Sequence, residues 1–159
     1  MQHKVIDTKD VVIRFAGDSG DGMQLTGSLF AEMSAIFGNG LSTFPDYPAE
    51  IRAPHGTVSG VSGFQVHIGS EQITTPGDFC DLLVAMNPAA LKANAKWLKR
   101  TAMVLMDSDT FTEEGLNKAG LGEDPVTELH IEDRAIIAAP ITTLTHESLK
   151  DSGLDKKTI

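Results

Sequence analysis

Three glycines, Gly17, Gly20 and Gly22, separate an apolar run from an amphipathic pattern in Val11 to Phe37 (VVIRFAGDSGDGMQLTGSLFAEMSAIF), and this junction constrains the fold more than any other stretch. Val11 to Phe15 reads as a strand. Gly22 to Phe37 reads as a helix, because Leu25, Leu29, Met33, Ile36 and Phe37 recur three or four apart and form one apolar stripe. Glycines between the two permit positive φ and a close backbone approach to a ligand. The first N–H groups of the helix lack intrahelical partners and point back at the turn, a setting that favours anions.

The pattern continues in α/β style. Gly38 and Gly40 end the helix, and Leu41 to Phe44 reads as a second strand of a β-α-β unit. A loop from Pro45 to Gly56 follows, whose prolines forbid a helix or a central strand. Phe64, Val66 and Ile68 alternate with Gln65 and His67, which predicts a strand within Thr57 to Ile68. Gly69-Ser70 then turns into a short strand near Gln72 to Thr74, an inserted hairpin. Leu82 to Met86 is a continuous apolar run, as expected of a parallel strand covered on both faces. Asn87-Pro88 supplies a cap and a first helical proline for a helix over Ala89 to Arg100. Strands are expected at Ala102 to Met106, Val126 to Ile131 and Ala135 to Ala138, with a helix from Pro140 to Ser148. The sum is a doubly wound, Rossmann-like α/β domain with a mostly parallel sheet, helices on both faces and an inserted β-hairpin.

The chain of 159 residues suits one domain. Lys150 to Ile159 is polar and adds no closing core element, which fits a fragment of something longer. A single cysteine, Cys80, and no leader pattern suit a cytoplasmic setting. No apolar run is long enough for a membrane span, and a net charge of -9 argues against a nucleic-acid surface.

The glycine turn admits several chemistries. Its spacing, G-x-x-G-x-G, reverses the dinucleotide fingerprint, and no Gly-Lys-Ser/Thr follows to make a P-loop. Gly20-Asp21-Gly22 also resembles the start of a thiamine diphosphate motif, but the nearest later asparagine, Asn39, is too close to complete it. A tight strand-to-helix turn with no ligand is an equally simple account. Asp18 and Asp21 at a helix entrance fit caps better than metal ligands, and the five histidines show no paired ligand spacing. Arg52, between prolines, is held where a guanidinium meets either a phosphate or carboxylate ligand, or Glu50 or Asp46 within the chain.

Three segments together carry a resemblance: FAGDSGDGMQLTG at Phe15 to Gly27, TFPDYPAEIRAPHGTVSGVSGFQVHIGS at Thr43 to Ser70, and DLLVAMNPAAL at Asp81 to Leu91. They resemble the gamma-type domain of 2-oxoacid:ferredoxin oxidoreductases, in the form found at the N-terminus of a fused 2-oxoglutarate-type alpha subunit. Gamma subunits of the pyruvate branch read more like G-x-G-G-Q-G at the turn, which favours the 2-oxoglutarate-like branch without fixing the substrate. The resemblance implies a complex that converts a 2-oxoacid and coenzyme A to an acyl-CoA and CO2 and reduces ferredoxin. Thiamine diphosphate would lie between the alpha and beta portions, and magnesium and iron-sulfur clusters would belong to the whole complex, with no cofactor held firmly by this chain and no catalysis by it alone. What it implies for this chain is assembly, and shaping of the coenzyme A side by Gly17, Ser19, Gly20, Asp21 and Gly22 with Arg52 as a phosphate partner. The rival readings are a purely structural assembly module and a free-standing nucleotide-binding domain.

Overall fold

A computed structural model of the chain describes residues 7–47 and 60–150. Six strands form one mixed sheet in the order β2-β3-β1-β4-β5-β6. Strand β1 (Asp10–Asp18) lies near its middle, antiparallel to β3 (Val61–Gly69) and parallel to β4 (Cys80–Ala85). Beyond β4, the strands β5 (Leu98–Asp107) and β6 (Ala135–Ala139) continue in parallel. Strand β2 (Gly40–Asp46) forms the other edge, antiparallel to β3 and therefore parallel to β1. The β-α-β reading thus holds with β3 inserted between its two strands.

This inserted strand makes the hairpin, and its partner is β2. The expected partner, Gln72 to Thr74, forms no strand. That part of the chain instead leads to Pro76 and Gly77, whose carbonyls accept from Gln65 Nε2. Pro45 pairs opposite Phe64 inside β2, one residue past the expected end of the strand. An edge strand tolerates the missing N–H because that side of the ladder faces no further strand.

The two faces of the sheet carry separate cores. Helix α1 (Met23–Ile36) sets Met23 and Ala31 against Ile13, Phe15, Phe64 and Val66. Helix α2 (Pro88–Asn94) sets Ala90 and Leu91 against Val12, Ala16, Leu83 and Val104 on the opposite face. Gly27 brings α1 close: a Cβ there would lie 2.3 Å from Cδ1 of Phe64. The apolar stripe of Leu25, Leu29, Met33, Ile36 and Phe37 does share one side of α1, as its period requires, but that side faces away from the sheet.

Two other expectations change. The helix after Asn87-Pro88 ends at Asn94 and passes through one tight turn, Ala95–Trp97, so Leu98 to Arg100 open β5. Residues 126–131 are no strand, because Asp124 caps and Pro125 starts the short helix α4 (Pro125–Glu128). Helix α3 (Glu113–Ala119), capped by Thr112, had no expectation attached. Helix α5 (Ile141–Leu149) and β6 fall where the sequence put them.

Arg14 crosses to the α2 side as a buried cation, 7% exposed, which no sequence pattern announced. Its Nε donates to Asn94 Oδ1 at 2.5 Å, one terminal nitrogen donates to Gln65 Oε1 at 3.2 Å, and the other pairs with Asp46. These bonds tie the end of the edge strand to the middle of the sheet. A buried charge left without such partners would cost several kcal/mol, roughly.

Candidate functional site

From β1 the chain leaves through α1 toward the β2 edge, and from β4 it leaves through α2 toward β5. The two adjacent parallel strands therefore send their helices to opposite faces, and the crevice beyond their C-terminal ends is where open α/β sheets bind ligands. The glycine turn occupies this crevice. Gly17 is still within β1, opposite Ser62, whereas Ser19, Gly20, Asp21 and Gly22 make the connection to α1. Gly20 at φ 118° and Gly22 at φ 74° adopt backbone conformations that glycine favours. Gly17 is needed for closeness, since a Cβ there would approach Asp21 Oδ2 to 2.8 Å.

Two cavities flank the turn and differ in charge. One, of about 740 Å³, lies toward β4, β5 and α5 and is lined by Gly20, Asp21, Met86, Asp107, Thr110 and Thr142 among others. The other, of about 520 Å³, lies toward β3 and is lined by Ser19, Gly20, Gly22, Gln24, Tyr47 and Ser62 together with Met23 and Leu25. Among the described residues, only the larger cavity has carboxylates in its wall, with His146 beside them. Burial pushes the Asp21 carboxyl above the usual Asp range, the Asp18 N–H donated to Asp21 Oδ2 at 2.7 Å opposes this, and the Asp18 charge adds to the rise. Asp107 is fully buried and accepts from the N–H of Ile141 at 2.9 Å and from the Thr142 hydroxyl, so it closes the start of α5.

The smaller cavity offers uncommitted polar groups. No side chain caps α1 at Gly22. Gln24 donates through Nε2 to Ser62 Oγ and to the carbonyls of Asp46 and Gly63, yet its buried Oε1 has no partner among the described residues. A buried acceptor left unpaired costs about 1–3 kcal/mol unless something donates to it. Tyr47 and Ser62 bracket the stretch that contains Arg52, and Ser19 N–H donates to Gly60 O at 3.2 Å where that stretch returns. Arg52 itself, like Pro48, Pro54 and His55 of the same expected loop, lies outside the described residues. The site residues missed in the sequence are Gln24 and Tyr47. Gln24 was legible in principle as a polar residue two positions past the turn, and Ser62 reaches the site through strand pairing.

The remaining candidates have ordinary roles. Asp18 Oδ1 accepts from Asn87 Nδ2 at 2.9 Å, joining the two crevice loops. His67 Nδ1 lies 2.7 Å from Thr75 O. Among the described residues no group of His, Cys, Asp or Glu converges to hold a metal ion, and no helix there is long and apolar enough to cross a membrane. Cys80 is buried and its thiol is pushed up to about 11 by desolvation, against a smaller opposing effect of Arg14. Such a thiol is a poor nucleophile, and one cysteine cannot ligate an iron-sulfur cluster that needs a set of thiolates.

A mixed sheet with this order and a glycine turn at its switch point defines an open α/β domain. The sequence profile of the pyruvate ferredoxin/flavodoxin oxidoreductase family matches residues 12–157, and the chain belongs to that family. The resemblance read from its three segments is thereby borne out. A curated relative, 2-oxoglutarate oxidoreductase subunit KorA of Mycobacterium tuberculosis, is 52% identical over 149 residues, which cover 94% of this chain and 23% of the relative. The chain thus spans about a quarter of that relative's length. A solved 2-oxoglutarate:ferredoxin oxidoreductase from Magnetococcus marinus, with 2-oxoglutarate, coenzyme A and succinyl-CoA bound, superposes with a TM-score of 0.67 and 26% identity over 91% of this chain and 22% of that one. The fold is also that of the keto/oxoacid ferredoxin oxidoreductase gamma subunit from Geobacter sulfurreducens, with a TM-score of 0.61 and 22% identity over 89% of this chain and 67% of that subunit.

Proposed function

We propose that this chain is the gamma-type domain of a 2-oxoglutarate:ferredoxin oxidoreductase, inert alone, that helps assemble the complex and shapes the side where coenzyme A arrives. The observation that carries the proposal is the 52% identity with the KorA subunit across nearly the whole chain. Thiamine diphosphate, magnesium and the iron-sulfur clusters belong to the alpha and beta portions, and ferredoxin accepts the electrons of the complex, in the cytoplasm. Nothing in the fold supplies the cysteine set that a cluster requires.

The geometry refines the ligand side. A phosphate is repelled by the carboxylates of the larger cavity and favoured by the smaller one, where the uncapped start of α1, Ser19 and Ser62 offer donors. Ser19, Gly20 and Gly22 are therefore the ligand-facing members of the turn. Gly17 and Asp21 hold its shape. Arg52, carried between the two ends that bracket this cavity, is the phosphate partner. The Gln24 acceptor suits an amide N–H of an extended ligand such as the pantetheine arm. The test is the complex assembled from this chain and its companion portions, assayed for coenzyme A-dependent, 2-oxoglutarate-dependent reduction of ferredoxin. Arg52→Ala is expected to raise the apparent KM for coenzyme A about tenfold or more, as loss of a charge-assisted contact should. An unchanged KM removes Arg52 from the site, and an assembled complex that uses a different 2-oxoacid overturns the substrate.

A further inference from the structure

The outward side of α1 is the least explained surface of the described residues. Leu25, Leu29, Met33, Ile36 and Phe37 are all more than half exposed, from 51% at Leu29 to 79% at Ile36. The buried side of the same helix, Met23, Gly27, Ala31 and Ser34, is offset from them by two positions, about 200° around the axis. Glu32 is the only charged residue among the fourteen of the helix. A solvent-facing flank is normally the charged one. Beside the stripe runs a groove of about 510 Å³ lined by Phe15, Leu29, Phe30, Met33 and Phe37, together with three uncharged polar residues of α1 and the turn after it. Ridge and groove together make a largely apolar patch of the kind that marks an interaction site.

We propose that this ridge and groove are the docking face for the remainder of the polypeptide found in the chain's long relatives, a partner presenting an uncharged apolar surface. The proposal rests on the family reading given above. In both KorA and the Magnetococcus enzyme the matched part is under a quarter of the polypeptide, so the module is tethered to a much larger remainder. A tethered partner is present at high effective concentration and needs no charges to steer it, which fits a face almost without charge. A second copy fits less well, because two chains each carrying -9 repel. Leu25 of the ridge also lines the smaller cavity with Ser19 and Gly22. A partner seated on the ridge would therefore border the ligand cavity and couple assembly to binding.

Hydroxyl-radical footprinting reads side-chain exposure directly. The 159-residue chain is compared with the same chain grafted into the Mycobacterium tuberculosis KorA polypeptide in place of its matched segment, assembled with its companion subunit. Oxidation of Leu29, Met33 and Phe37 is expected to slow several-fold in the graft. Equal rates in both overturn the proposal, and protection in the isolated chain that grows with its concentration assigns the face to a second copy and overturns it too. The native KorA protein, footprinted over its helix aligned with residues 23–36, gives the same readout without any graft. Leu29→Gln with Met33→Gln should leave the melting of the isolated chain unchanged and restore oxidation of Phe37 in the graft. Activity of the graft is scored separately: an active graft with an unprotected ridge refutes the docking face alone, and an inactive graft with a protected ridge refutes the catalytic reading alone.

Discussion

Helices α1 and α2 begin at equivalent places, each just after a parallel strand beside the crevice, and they begin in opposite ways. At α2, Asn87 accepts the Ala90 N–H at 2.8 Å and Pro88 removes one of the remaining donors, so the helix start is closed. At α1, Gly22 in a left-handed conformation brings no side chain to the free N–H groups. The helix bodies differ too, since α2 meets the sheet through fully buried Leu91 and α1 through the bare backbone of Gly27. One junction is closed by its own residues, and the other has no side-chain cap of its own. That asymmetry is why the ligand site proposed above falls at the start of α1 and not at the start of α2.

Changing Gly27 to Ala is the strongest way to break the contrast. The added methyl gains helix propensity of up to about 1 kcal/mol but meets the Phe64 ring, so a net loss of about 1–3 kcal/mol is expected in denaturant unfolding. Phe64→Leu in the same chain should recover part of that loss. No loss would mean that α1 does not sit where its glycine allows.

Opening α2 is the next test. Asn87→Ala removes both the cap and the bond to Asp18, and should cost about 1–2 kcal/mol in the same measurement. A cost near zero would make the two helix starts energetically alike.

The smallest effect concerns the acidic side of the turn. The folded-state pKa of Asp21 is raised, chiefly by burial, so its ionisation works against the fold at neutral pH. Stability linked to this group is fully present below the ordinary Asp pKa and is lost as pH rises through the raised value. Asp21→Asn should therefore melt higher than the unaltered chain at pH 7, and the difference should vanish as both are taken to about pH 3. A difference that grows on acidification has the wrong sign.

Local signals account for what the sequence foretold. Asn87-Pro88, the glycines after β1 and the apolar runs of β4 and β6 act within a few residues, and their elements formed there. Signals that depend on distant partners were silent: Arg14 finds Asp46, Gln65 and Asn94 at separations of 32, 51 and 80 residues. The α1 stripe shows a subtler limit. Period fixes which residues share a face, but the packed face was chosen by Gly27, Ala31 and Ser34, small residues that allow a close approach to β3. The strand expected at residues 126–131 failed because the Asp124-Pro125 cap outweighed a run of β-favouring side chains. Of the candidate site, the turn was legible as a motif, whereas the division of its two sides into one cavity with carboxylates among its described lining and one without required the folded sheet.

Gly22→Asp tests the central contrast most directly, because it places a carboxylate beside the open helix start where Asp is among the residues that best tolerate a left-handed backbone. The measurement is calorimetric titration of the assembled complex with coenzyme A, with Gly22→Asn as the uncharged control. The account predicts that the aspartate weakens coenzyme A binding about tenfold or more while the asparagine changes it far less. Equal affinities for both variants and the unaltered complex would show that the start of α1 holds no anion, and that the open junction serves assembly alone.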